Sequence, residues 1–184
     1  MYDDLICGDD FLDLAEILKL TADDITVIFS FDGAQLYQNK KSDTWIGVWI
    51  VVEYDPTTRY KKIHVLPAVI ISGPNKPKNS DSYLFRSFHH LSAIQQENNN
   101  AGIYVWDFVQ NKIILSRVIH LLTEADAVGL VEVDGRVGHH GAQGCRIGCP
   151  MKGRHKPSSG HYYAAHLWPF GINAADCNHP DFDF

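Results

Sequence analysis

The run Ile25-Thr-Val-Ile-Phe-Ser-Phe-Asp32-Gly33 constrains this chain more than any other stretch. It is short, apolar, rich in β-branched and aromatic residues, and ends in an acid and a glycine. Such a run reads as a buried strand. A carboxylate at its end would stand rigidly at the rim of a core, with its charge reaching a cleft. A metal-dependent nuclease or transferase needs its first metal ligand in that kind of place. The plainer reading is a turn after a strand, since Asp-Gly is a common turn dipeptide. Val118-Ile-His-Leu-Leu-Thr-Glu-Ala-Asp126 has the same form, an apolar run ending in an acid.

Around these two runs the pattern predicts an alternation of strands and helices. Residues 9–20 suit a short amphipathic helix with acids at its start. The first strand follows at about 25–31. Thr44 to Tyr54 reads as a second strand, Asp55-Pro-Thr-Thr-Arg59 as a turn, and Tyr60 to Ile71 as a third strand. Pro67 inside the third run predicts an edge position or a bulge. The short spacing favours an antiparallel meander. Gly73-Pro-Asn-Lys-Pro77 breaks the chain, Ser80 to about Gln96 has helical spacing, and 97–102 is a loop. Ile103–Phe108 and Lys112–Ser116 are two short strands across a Gln110-Asn111 turn, or one strand and its lead-in. Residues 127–138 form a weak helix after the 118–126 strand. The order predicts an α/β fold: a mixed sheet with flanking helices, compatible with a ribonuclease H-like architecture. In that architecture strands one and four lie side by side, and each presents one acid to the same cleft.

Length and composition fit one globular domain, with 45% hydrophobic and 21% charged residues in 184. No run approaches a membrane span, and the acidic start lacks an apolar signal region. Cys7, Cys145, Cys149 and Cys177 are too few for a disulfide scaffold at this length, which points to a reducing compartment. The net charge of −6 hides a gradient. Residues 1–34 hold nine acids and one lysine, whereas 135–175 hold five basic residues, five histidines and no acid. Nucleic-acid contact is therefore open only to the C-terminal third.

Three groups could carry chemistry. Asp32 and Asp126, on neighbouring strands, could hold two divalent cations roughly 4 Å apart and clamp the attacking and leaving oxygens of a phosphodiester. Their hard oxygens suit Mg²⁺ or Mn²⁺ rather than Zn²⁺. The structural alternative for Asp126 is a helix N-cap. Cys145-x3-Cys149, with histidines at 139, 140, 155, 161 and 166, could close a tetrahedral zinc site. Its alternative is a pair of small buried thiols in a glycine-rich loop. Arg146, Lys152, Arg154 and Lys156 could contact phosphates in a salt-sensitive way, or simply form a solvated basic loop. Gly138-x-x-Gly141 lacks the flanking strand and helix of a nucleotide-binding loop and is discounted.

Three blocks of this sequence resemble the transposases of CACTA (En/Spm-like) DNA transposons, in the form abundant in fungal genomes. The first is Phe31-Asp-Gly-Ala-Gln-Leu-Tyr37, followed by Trp45 and the Asp55-Pro-x-x-Arg-Tyr-Lys turn. The second is Ile70-Ile-Ser-Gly-Pro-Asn-Lys-Pro77. The third is Ala125-Asp126, then Gly138-His-His-Gly-x-x-Gly-Cys145-Arg-x-x-Cys149-x-Met-Lys-Gly-Arg-His-Lys-Pro157 and His161-Tyr-Tyr. The third is the most specific, because glycines, histidines, cysteines and basic residues agree in order and spacing. The resemblance implies a ribonuclease H-like core with a DDE/D triad, Asp32 matching the first acid and Asp126 the second. It implies Mg²⁺- or Mn²⁺-dependent cleavage and strand transfer at transposon-end DNA in the nucleus. Self-association is a further expectation, and a membrane partner is not.

The departure from that family is its third acid, which lies well beyond the cysteine block. Asp176, Asp181 and Asp183 follow the block too closely to replace it. The expectation is therefore a transposase fragment, inactive alone. It divides into an acidic helical lead-in (1–24), a partial ribonuclease H-like core (25–134), and a Cys/His-rich basic segment with an aromatic tail (135–184). The competing expectation is a non-catalytic module that binds nucleic acid or protein through a zinc-pinned basic loop. A purely structural protein is the third reading.

Overall fold

A computed structural model describes residues 4–35, 43–73, 79–126, 128–135, 137–138, 140–144, 152–155 and 158–163. The chain divides into two compact units, Met1–Glu124 and Ala125–Phe184. The first holds helix α1 (Asp9–Leu18), strands β1 (Ile25–Gln35), β2 (Asp43–Val51) and β3 (Val65–Ile71), and helix α2 (Asp81–Asn100). It continues with β4 (Ile103–Asp107), β5 (Lys112–Ser116) and β6 (Val118–Glu124). The second unit holds α3 (Gly129–Asp134) and the two-residue strands β7 (Arg154–His155) and β8 (Tyr162–Tyr163).

The four-stranded sheet runs β3-β2-β1-β6. β1, β2 and β3 pair antiparallel, and β6 returns parallel to β1 after the α2 crossover. The fold is therefore mixed α/β, with a mixed sheet and three helices among the described residues. β1 has antiparallel contacts on one side and parallel contacts on the other, so it is central. Its burial follows: Val27, Ile28, Phe29 and Phe31 are all buried.

Alternate β1 side chains feed two cores. Phe29 meets Trp49 and Phe88 at centroid distances of 4.8 and 4.9 Å, which packs α2 onto one face. Trp49 fixes the helix further by donating from Nε1 to Ser87 Oγ at 2.9 Å. Half-buried His120 adds its ring edge-on to Trp49, and burial pushes its pKa down. On the other face Ile28, Ile50 and Val52 cluster with Leu5, Val48, Val65 and Leu121. Gly47 is required where Phe29 crosses β2, because a Cβ there would lie 2.7 Å from Val69 and 2.8 Å from the Phe29 ring.

β3 begins at Val65, later than the periodicity suggests. Asp55 closes the preceding turn by accepting from the Thr57 N–H at 2.8 Å. Arg59 then turns inward, where it is 2% exposed. Its guanidinium donates to both Asp4 carboxylate oxygens at 2.8 and 2.7 Å and to Tyr54 O. Pro67 sits on the edge strand, beside a register shift that pairs Val48 with Pro67 and Gly47 with Val69. A proline cannot donate to a ladder, and this position asks for no donation.

Helical dihedrals in α2 stop before Glu97; Asn98 and Asn99 have φ of 51° and 57°. Asparagine tolerates this left-handed region better than most residues. Gly102 (φ 111°) then makes the turn into β4, where a Cβ would collide with Ser116 O at 2.3 Å. β4 and β5 form a separate hairpin, whose Asn111 turn residue has φ of 51°. No helix among the described residues is long and apolar enough to cross a membrane.

Candidate functional site

β1 outruns β6. The parallel register ends at Ser30 opposite Glu124, while β1 continues to Gln35 paired, among the described residues, with β2 alone. Asp32 lies on this overhang, paired with Ile46 of β2. It is exposed, and its Oδ1 accepts from the Gly33 N–H at 2.7 Å. The strand therefore carries on through Asp32-Gly33, and the dipeptide is not a turn. Strand alternation puts Asp32 on the face opposite Phe29 and Phe31.

Two clamps set where β1 and β6 start. Buried Asp24 accepts from the Arg117 backbone N–H and Nε through Oδ1, at 3.1 and 3.0 Å. Its Oδ2 accepts from Arg117 Nη2 at 2.6 Å and from the Thr21 N–H at 2.8 Å. The Arg117 hydrogen bonds hold the Asp24 carboxyl well below the usual carboxylate range, against the opposing pull of burial. Arg117 also donates to Leu18 O and Lys19 O, which ties the end of α1 to the same point. The second clamp is Glu53, which accepts from the Thr26 N–H at 2.7 Å and from its hydroxyl. Neither clamp shows in the sequence pattern, because the partners are 93 and 27 residues apart.

The parallel register also brings in an acid that pattern reading passed over. Glu124, partly buried, stands beside Ser30 on the face that Asp32 shares. The signal was present as the earlier of two acids ending the Val118 run.

Asp126 belongs to the second unit. Its Oδ1 accepts from the Val128 and Gly129 N–H groups at 3.0 and 2.6 Å, and its carbonyl accepts from Leu130 N–H. It caps α3, the structural alternative raised by its sequence position. That helix is shorter than the 127–138 pattern suggests and ends at Gly135, with φ of 66°.

Among the described residues no group of three or more His, Cys, Asp or Glu side chains could hold a metal ion. Asp32 and the capped Asp126 do not by themselves supply the carboxylate set that a pair of Mg²⁺ or Mn²⁺ ions needs.

Of the basic residues, Lys152 is exposed, with Nζ 5.6 Å above the Tyr162 ring. Arg154 lies on β7, paired with Tyr163. Arg146, Lys156, Cys145 and Cys149 lie outside the described residues, as do His139, His166, Asp176, Asp181 and Asp183. Two histidines from the same segment do come together: His140 and His161 stack at 4.5 Å with ring planes 10° apart. Compared with protein-family models, curated proteins and solved structures, the chain matches none of them.

Proposed function

We propose that this chain is a catalytic-core segment of a DDE/D-type DNA transposase with a ribonuclease H-like sheet, and that it does not cleave DNA alone. One observation carries the reading. A three-strand antiparallel meander, a helical crossover and a fourth strand parallel to the first lead up to an acid at the open end of the central strand. A rigid, exposed carboxylate on such an overhang suits divalent-ion ligation. The sequence blocks around Asp32, Pro74 and Cys145 support the same assignment. On this reading the substrate is transposon-end DNA, the compartment is the nucleus, and the metal is Mg²⁺ or Mn²⁺.

Inactivity alone is the expectation from the sequence: cleavage by paired ions in the family draws on a third carboxylate, and Asp176, Asp181 and Asp183 follow the cysteine block too closely to match it. The test is nicking of supercoiled duplex DNA by the purified chain with Mg²⁺ or Mn²⁺. No nicking above background is expected from the wild-type chain. Metal-dependent nicking that Asp32→Ala abolishes would sink the claim of inactivity and keep the ancestry. Metal-dependent nicking unchanged in Asp32→Ala would sink both.

A further inference from the structure

The two halves of α2 meet the sheet differently. The first half stands on an aromatic floor of Phe29 and Trp49, with the Phe88 ring 4.9 and 5.3 Å from theirs. Rings of that size set the spacing between helix and sheet. Farther along the same face the side chains are smaller. Strand register sets Val27 opposite Val51 and Ile25 opposite Val118, and β3 contributes Ala68. Alternation along each strand puts these residues on the face that carries Phe29 and Trp49. Two hydrogen bonds fix the helix at this height. Trp49 Nε1 donates to Ser87 Oγ at 2.9 Å, and Gln95 Nε2 donates to Val118 O at 3.0 Å.

The short side chains do not reach the helix, and a cavity of about 490 Å³ remains between α2 and the sheet. Its walls include Val27, Val51, Leu91, Ile94 and Val118. Val51, Ile94 and Val118 are only half-buried, although they stand between two packed layers. Protein interiors rarely leave such a gap. The volume falls within the range of small-molecule sites, about 300–1,000 Å³. Apolar walls offer water no hydrogen bonds, so such a cavity takes up apolar molecules in preference to water.

The mouth has a different chemistry. Its exposed residues are Leu66 and Pro67 on β3 and Arg86 and His90 on α2. Arg86 and His90 are one helical turn apart and share a face. Among the described residues no Asp or Glu lines the cavity, and no acid pairs with Arg86. A guanidinium matches a carboxylate in charge and in the geometry of its donors.

We infer that the cavity under α2 binds a single-chain anionic amphiphile. The hydrocarbon tail lies among Val27, Val51, Leu91, Ile94 and Val118, and the carboxylate meets Arg86 at the mouth, beside His90. The site lies wholly within the first unit. It goes beyond the transposase reading and does not rest on it, and its test involves no DNA.

The test is a titration of the full chain with decanoate, followed through the methyl resonances. One saturable site per chain is expected. The Val27, Val51, Leu91 and Ile94 methyls should shift, and those of Ile113 and Leu115, which are 64 and 40% exposed on β5, should not. Uncharged 1-decanol should bind the same cavity about fivefold more weakly, the worth of one exposed ion pair. Arg86→Gln should weaken decanoate by about the same factor and leave 1-decanol unchanged. Ala68→Phe, which fills the cavity from β3, should abolish binding of both. Because a larger side chain there could disturb β3, Arg86→Gln, at an exposed helix position, is the deciding variant. No saturable shift of the cavity methyls would overturn the site. So would equal shifts at Ile113 and Leu115, an unchanged decanoate affinity in Arg86→Gln, or decanoate binding retained in folded Ala68→Phe. Vesicles of phosphatidylglycerol separate a bilayer from a free ligand. Cavity shifts with vesicles and none with decanoate would overturn a site for single molecules.

Discussion

At the scale of single residues, the most consequential side chain is one that does no chemistry. Asp24 joins the end of α1, the start of β1 and the start of β6 through Arg117. Removing one member of a buried pair leaves the other uncompensated, so Asp24→Asn should destabilise the first unit by about 3 kcal/mol. The pH dependence has a definite sign. The folded-state pKa of Asp24 lies below its unfolded value, chiefly through the Arg117 hydrogen bonds. Its contribution is complete above the ordinary carboxylate range and is lost as acid takes the pH down through about 4 and below. Urea midpoints of wild type and Asp24→Asn should therefore differ most near neutrality, with the gap narrowing progressively as the pH falls below about 4. A gap that stays constant with pH would count against the Asp24–Arg117 pair as its cause. Asp24 and Arg59 also mark the limit of reading from sequence. Each looks like a loop charge locally, and each finds its partner only after the sheet forms.

Elements were more legible than residues. The apolar runs gave β1, β2 and β6, because period and composition agree there. Pro67 predicts an edge position or a bulge, since its missing N–H leaves few other places for it in a sheet, and β3 is an edge strand with a register shift beside Pro67. β3 starts later than its apolar pattern predicts because Asp55 and Arg59 fold the preceding residues into turns, Arg59 through a partner near the N-terminus. For residues 103–116 the sequence pattern allows either one strand or two, and the structure has two, paired as the β4–β5 hairpin. Its outer face explains the ambiguity: Tyr104, Trp106, Ile113 and Leu115 read as core residues but are 70, 55, 64 and 40% exposed. They oppose one another as Tyr104–Leu115 and Trp106–Ile113. Replacing Trp106 and Ile113 with threonine should keep the thermal midpoint within a few degrees, since threonine suits strands and no core is lost. Binding of a dye that reports exposed apolar surface should fall. A large drop in thermal midpoint would mean that this face is covered in solution.

At the scale of the molecule, the two units differ in what orders them. The first has two apolar cores on either side of a sheet, while the second has, among the described residues, backbone ties between short elements. Hydrogen exchange should separate them. The Gly153 and Tyr162 amides should exchange roughly tenfold or more faster than those of Val27 and Phe29. Equal protection in both units would contradict separate sources of order. The mixed α/β class was legible throughout, because it rests on strand and helix order alone. The candidate acids were legible as the ends of apolar runs, but their surroundings were not. Nothing local to Asp126 decides between a cap and a ligand, and only the parallel register reveals Glu124 beside Ser30.

The sheet's two borders are unequal. On β3, Pro67 and its bulge spoil the outer border as a template for another strand. β6 has no proline and pairs through β1 alone among the described residues. A sheet of this kind has a valence of one. Among the described residues, the β6 border is the one left unspoiled, and a strand added to this sheet is expected there rather than beside β3. A sheet with one open border can be lengthened from one side only, so strand addition there ends rather than propagates.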